Sequence, residues 1–294
     1  MNILQDKDLL EFKANQESQT VCPAADFLEA TIERVEQGVK VFGDPLPWEK
    51  TRDKFRFRPG ELTIWAGVNG NGKSLVMGQA ALWMLNYTSV LIASMEMKPE
   101  ATMARMVRQA AGYEQPSSEF VHGFFNATTR LWIYDQLDTV ESDRILAMCH
   151  WAATECGVKH IMIDSLVKCG IAPDDYARQK EFVDRLCWVA KTYNIHVHLV
   201  VHMRKGANET EIPDKFAVKG AGEITDLADN VLIIARNMKK EKLSREAQKD
   251  SMGVPLLPED VATTPDGYLR VAKQRHGEWE GLWGFWWDEN SHQW

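Results

Sequence analysis

The chain has 294 residues, a hydrophobic fraction of 45% and a net charge of −8 from 34 basic and 42 acidic side chains. This supports one large α/β domain with a short appendage and excludes a globally basic nucleic-acid footprint, so any such binding must use a local patch. Five scattered cysteines without a C-x-x-C spacing, the absence of a long apolar run and an N-terminus without a signal-peptide pattern point to a cytosolic, reducing compartment and to no membrane span, no disulfide framework and no zinc ribbon.

Residues 1–23 are polar and mixed. Residues 24–38 have helical period, with Phe27, Leu28, Ile32 and Val35 along one side and Gly38 as a stop; such a helix would pack on its own domain or on a neighbouring subunit. Asp44-Pro-Leu-Pro47 reads as a rigid extended linker, with the main domain starting near Trp48. Apolar strand patterns recur at 62–66, 89–94, 131–134, 158–163, 195–201 and 230–235, and helical patterns lie at 73–86, 99–112, 141–156 and 175–194. The alternation predicts an α/β fold with a mostly parallel sheet covered by helices. Residues 268–273 and 282–287, separated by His276-Gly277, predict a C-terminal antiparallel hairpin. The polar stretch 237–267 before it reads as a helix (239–249) and a loop.

The sequence Gly67-Val68-Asn69-Gly70-Asn71-Gly72-Lys73-Ser74 is a complete G-x-x-x-x-G-K-[ST] phosphate-binding loop, set between an apolar strand and a helix. Its glycines let successive backbone N–H groups surround an anion. In this class of site the lysine reaches the β- and γ-phosphates of a nucleotide such as ATP, and the serine holds Mg²⁺. Asp164 ends the apolar strand Ile161-Met-Ile and is placed to orient the same metal. Glu96, in Ser94-Met-Glu-Met, ends another strand and suits a general base for the attacking water; a solvated post-strand glutamate is the alternative.

His202 closes the 195–201 strand and could bond the γ-phosphate. It shares strand parity with His196 and His198, but no carboxylate or cysteine spacing completes a metal site, so those two read as structural. Arg204, Lys205, Lys215 and Lys219 cluster on a stretch that suits the phosphates of a single-stranded nucleic acid. Lys273 and Arg275 sit at the end of the penultimate strand, where they could reach a γ-phosphate in the next subunit as an arginine finger does. Five tryptophans fall in the last sixteen residues; they read mostly as sheet-edge packing, with one available to stack on a base.

The ordered set Gly60–Ser74, Ser94–Met97, Ile163–Ser165, Val201-His202, Gly220–Asn230, Ala235–Asn237 and Lys273–Arg275 resembles the RecA-fold, P-loop ATPase domain of DnaB-type hexameric replicative helicases, most nearly the phage primase-helicase and Twinkle group. The resemblance runs from about Gly43 to the C-terminus and divides the chain into 1–42, a tail with a possible subunit-linking helix, and 43–294, the ATPase domain. It implies Glu96 as catalytic base, Asp164 as Mg²⁺ ligand, His202 as γ-phosphate sensor, Lys273 and Arg275 acting in trans, and Arg236 with Trp287 sandwiching the base. It also implies a loop at 203–222 that grips single-stranded DNA in the channel of a hexameric or heptameric ring. A primase, polymerase or loader would be a partner, in replication of a phage or prophage in a bacterial cytoplasm or in a mitochondrion. No primase module is expected within the residues ahead of the domain. Two other readings fit the same motifs: a recombinase-like DNA-dependent ATPase, and a non-catalytic ATP-binding module that docks onto a replisome.

Overall fold

A computed structural model of the chain describes residues 21–37, 42–203, 212–218, 221–249 and 255–294. It forms two compact units, Met1–Phe42 and Gly43–Trp294. In the first, a 3₁₀ turn at Ala24–Phe27 runs into helix α1, Leu28–Gln37. Phe27, Leu28, Ile32 and Val35 are all exposed. Gly38, the expected stop, lies outside the described residues.

The second unit opens with two short antiparallel strands, β1 (Asp44–Pro45) and β2 (Arg56–Phe57). The stretch from Asp44 is therefore no free linker: Leu46 is fully buried and Asp44 is tied to the sheet by a hydrogen bond described below. Then come β3 (Leu62–Gly67), α2 (Lys73–Met84), β4 (Val90–Ser94), α3 (Pro99–Ala111), α4 (Ser118–Ala127), β5 (Leu131–Ile133), α5 (Ser142–Thr154), β6 (His160–Asp164), α6 (Tyr176–Tyr193), β7 (His196–His202), α7 (Ala221–Leu227), β8 (Asn230–Arg236), α8 (Met238–Glu246), α9 (Glu259–Ala262), β9 (Gly267–Gln274) and β10 (Gly281–Phe285).

Eight strands form one sheet in the order β10-β9-β8-β3-β7-β6-β4-β5. The six from β8 to β5 pair in parallel, and β9 and β10 add an antiparallel edge. Alternate strand residues feed two cores, one on each face. Leu62, Ile64, Ile161, Ile163, Val197 and Leu199 pack with α5 and α6, while Trp65, Met162, Val200 and Leu232 pack with α2 and α3. Fully buried central strands explain the continuous apolar runs in the sequence.

Set into the second core are three stacked histidines, and their hydrogen bonds fix the tautomers. Trp65 Nε1 donates to His198 Nδ1 (3.0 Å), so His198 Nε2–H donates to His160 Nδ1 (3.0 Å), and His160 Nε2–H donates to Asp44 Oδ2 (2.8 Å). In parallel, Asn230 Nδ2 donates to Thr63 Oγ1 (3.1 Å), Thr63 to His196 Nε2 (2.8 Å), and His196 Nδ1–H to the Arg58 carbonyl (2.7 Å). His196 and His198 thus serve the structure, and the ring nitrogens that a metal would need are occupied.

Burial, reinforced by the neighbouring histidines, pushes His196 and His198 well below the ordinary imidazole range. Below about pH 6.5 the unfolded chain binds protons that the folded chain refuses, so stability falls as pH falls. Two such groups give a slope of about 2.7 kcal/mol per pH unit. The urea midpoint is expected to be flat from pH 8 to 7 and to drop steeply from pH 6.5 to 5.5. An unchanged midpoint at pH 5.5 would contradict the buried neutral pair.

Candidate active site

The ends of β3, β4, β6 and β7 and the stretch after β5 line one crevice at the carboxyl end of the sheet, where ligands bind in open α/β folds. The loop Gly67–Ser74 leaves β3 and enters α2, whose first-turn N–H groups face the crevice. Gly70 (φ 83°) and Gly72 (φ 80°) take left-handed backbone that favours glycine. A Cβ on Gly67 would lie 2.6 Å from the Ile234 carbonyl, so this position requires glycine for close approach to β8. Lys73 Nζ donates to the Gly67 (3.0 Å) and Val68 (3.2 Å) carbonyls.

Ser74 Oγ donates to Asp164 Oδ2 at 2.5 Å, joining the loop to the tip of β6. Two hard oxygens so close fit a Mg²⁺ that keeps most of its water shell. Burial raises the Asp164 carboxyl above its usual range and Glu96 adds to this, while the Ser74 hydrogen bond, Arg105 and Lys73 oppose it. Burial also lowers Lys73, opposed by the Asp164 and Glu96 carboxylates.

Glu96 follows β4, and His202 ends β7. Ser165 Oγ donates to Glu96 Oε1 (2.8 Å). With its proton directed there, Ser165 can only accept from His202 Nε2 (3.3 Å). His202 Nδ1 is buried and has no hydrogen-bond partner among the described residues. Burial and the Lys73 charge lower the His202 pKa, so the ring is neutral near pH 7. The result is a hydrogen-bonded relay from His202 through Ser165 to Glu96.

Lys73, Ser74, Glu96, Asp164 and His202 line one cavity of about 970 Å³, together with Arg105 from α3. Sequence reasoning missed Arg105 and Ser165. Arg105 had a signal: it lies three residues after buried Thr102 and four before buried Gln109, on the helix face turned to the sheet. Ser165 carried none beyond its position after Asp164.

Arg236, at the tip of β8, and Trp287, just past β10, line an adjoining cavity of about 700 Å³ that shares Gly70 and Gly72 with the first. The predicted strand to residue 287 stops at Phe285. Of the five late tryptophans only Trp283 lies in a strand; Trp279 stacks on it at 4.2 Å. Trp294 wedges between Gly72 and Gly267, where added Cβ atoms would lie 3.5 and 2.4 Å from its ring. Sheet-edge packing describes Trp283, Trp279 and Trp294, which pack on β9 and β10, and the turns after β10 also carry Trp294 against Gly72 of the phosphate loop.

Lys273 and Arg275 are not in this crevice. Gln274 pairs with Asn230 at the start of β8, so both cations sit at the opposite end of the sheet. They are also less free than alternate exposed residues of a strand would be. Lys273 Nζ donates to the Thr225 and Asp226 carbonyls (2.9 and 2.8 Å). Arg275 pairs with Asp229 (2.8 Å) and donates to the Asp226 carbonyl (3.0 Å), so the two side chains cap the C-terminus of α7. Lys215, in a 3₁₀ turn at Lys215–Ala217, is near enough to lower the Lys273 pKa, after the larger effects of burial and Arg275. Arg204, Lys205 and Lys219 lie outside the described residues.

The fold matches known proteins. The family model described as AAA domain matches residues 47–208. Among solved structures, a separately solved ATPase domain superposes with a TM-score of 0.74 at 15% identity, covering 92% of this chain and 98% of that one. A DnaB-like replicative helicase, solved in a study of its interactions with primase, gives 0.67 at 15% identity, over 93% of this chain and 66% of that one. No curated protein matches the sequence. These matches establish the RecA-like α/β fold; at such identity they speak to the fold alone.

Proposed function

The chain belongs to the AAA domain family, and from that premise we propose that it is an ATP-driven helicase or translocase that moves on single-stranded DNA as a ring during replication. The observation that carries this reading is the meeting of Lys73, Ser74, Glu96, Asp164, Arg105 and His202 in one cavity at the carboxyl end of a RecA-like sheet. A binding module without turnover would have no use for a carboxylate aimed by a serine–histidine relay.

The nucleotide would lie with its phosphates on Gly67–Ser74 and its base between Arg236 and Trp287. Mg²⁺, held by Ser74 and Asp164, would neutralise charge on the β- and γ-phosphates. Lys73 and Arg105 would bind phosphate oxygens, each leaving a weak local contact: Lys73 the loop carbonyls, Arg105 the Met97 sulfur (3.3 Å). Glu96 would take the proton of the attacking water, with Ser165 orienting its carboxylate. His202 would sense the γ-phosphate by taking up a proton on Nδ1, which has no partner among the described residues and could then donate to a phosphate oxygen, and pass its presence to Glu96 through Ser165. Lys273 and Arg275, remote from the crevice of their own subunit, suit a role on the nucleotide of a neighbour, as an arginine finger supplied in trans. Residues 203–222, with Lys215 beside Lys273, would contact DNA phosphates, and α1 with its exposed apolar face would link subunits of a hexamer or heptamer. A phage or prophage setting, with a primase, polymerase or loader as partner, accords with this reading.

Steady-state ATP hydrolysis with and without single-stranded DNA tests it. Turnover that rises with DNA at low salt, where phosphate contacts are strongest, is the expected result; turnover indifferent to DNA would remove the motor.

A further inference from the structure

The stretch inserted between β8 and β9 begins one residue after Arg236. Asn237 starts it twice over: its Oδ1 accepts from Lys240 N (3.1 Å), capping α8, and its Nδ2 donates to the Pro265 carbonyl (2.8 Å) at the far end of the insertion. The backbone joins the same two ends, with Asn237 N donating to the Asp266 carbonyl (2.8 Å). Helix α8 is thus held beside the 700 Å³ cavity, and two consecutive residues of its first turn face the two sides of that cavity.

Glu241 pairs with Arg236 (Oε2 to Nη2, 2.9 Å), while Arg236 Nη1 reaches the Gly70 carbonyl (3.4 Å). Arg245, one turn further along α8, bonds the other Glu241 oxygen. Lys240 takes the other side. Its ammonium pairs with Asp266 Oδ1 (2.8 Å) and donates to the Thr264 (2.6 Å) and Ala262 (3.2 Å) carbonyls. Asp266 Oδ2 in turn accepts from Trp287 N (3.0 Å). Arg236 and Trp287 stand on separate elements, and α8 is bonded both to Arg236 and, through Asp266, to the support of Trp287.

We propose that α8 is a clamp that sets both jaws of the base slot: Glu241 orients the Arg236 guanidinium, and Lys240, through Asp266, seats Trp287. The inference rests on the nucleotide reading above and adds that base affinity and base selectivity, as distinct from phosphate affinity, are controlled from this insertion. A planar cation is useful for stacking only when its plane is fixed, and here the Glu241 carboxylate holds one nitrogen as an ion pair while the Gly70 carbonyl accepts from the other. Lys240 and Glu241 are positioning residues; they act through Arg236 and Trp287.

The test compares ATP with inorganic tripolyphosphate, which has the phosphates and no base. Binding of each, with Mg²⁺, is measured by calorimetry for wild type, Glu241→Ala, Glu241→Gln and Lys240→Met, with circular dichroism reporting that each variant folds. Glu241→Ala and Lys240→Met are expected to weaken ATP by about tenfold, the size of one lost charge-assisted contact, and to leave tripolyphosphate unchanged. Glu241→Gln, which keeps an acceptor for Arg236, should fall between wild type and Glu241→Ala. Unchanged ATP affinity in these variants, or equal loss of both ligands, overturns the clamp. Failure of the wild type to bind ATP overturns the nucleotide reading itself, so the two failures are distinguishable.

Discussion

Glu96→Gln is expected to lower ATP turnover by about 10²–10⁴-fold, the usual contribution of a general base, while nucleotide affinity survives. Glutamine keeps the shape of the side chain and can still accept from Ser165, whose hydroxyl lies 2.8 Å from Glu96 Oε1. It cannot take a proton. None of the groups assigned to phosphate, metal or base changes in this variant, since Lys73, Ser74, Asp164, Arg236 and Trp287 remain. Glu96 also suits the role of base better than Asp164, which lines the same cavity. Asp164 is nearly buried and bonded to Ser74 at 2.5 Å, which suits a metal ligand, whereas the Glu96 side chain is 41% exposed and open to a water. Ser165→Ala should give a smaller loss in the same direction, because it frees the carboxylate without removing it. Wild-type turnover in Glu96→Gln would show that the base lies elsewhere.

The second large effect is expected at Arg275, where removal of a finger supplied in trans lowers stimulated turnover by about 10³–10⁵-fold. The structure complicates the simple alanine variant. Arg275 is the ion-pair partner of Asp229, whose side chain is only 3% exposed and also accepts from Leu62 N (2.9 Å). Alanine would strand a buried carboxylate and destabilise the start of β3 as well as remove the finger. Mixed assemblies separate the two effects. Arg275→Ala subunits carry an intact Glu96, and Glu96→Gln subunits carry an intact Arg275. Mixed together, they can form sites with a complete base from one subunit and a complete finger from the next. Turnover regained on mixing is the expected outcome. Two inactive proteins that stay inactive together, while co-assembling, would rule out action across a subunit boundary.

Strand, loop and helix around residues 62–85 were legible because three local signals agree there: an apolar run, a glycine pattern that needs left-handed backbone, and a helical period. The remaining parallel strands were legible for a similar reason, since strands buried on both faces cannot hide their apolar residues. What escaped depends on contacts distant in sequence. The β1–β2 pair has two residues in each strand and no periodicity; the Asp44–His160 hydrogen bond spans 116 positions. Helix α4, with a Ser117 cap accepting from Phe120 N (3.3 Å), falls in a stretch for which the sequence reading proposed no element. The loop-and-helix reading of 237–267 located α8 but gave it no task, because its partners Arg236 and Asp266 connect onward to Gly70 and Trp287, which are distant in sequence. Lys273 and Arg275 looked like free cations on a strand face for the same reason: the α7 carbonyls that hold them come from a segment nearly fifty residues earlier.

One measurement bears on the motor reading before any other: ATP turnover of the wild-type chain with and without single-stranded DNA at low salt, with particle mass followed by light scattering in the same samples. The expected result is an oligomer of ring size whose turnover rises on adding DNA. A stable monomer that hydrolyses ATP at a rate indifferent to DNA, or does not hydrolyse it, would contradict it.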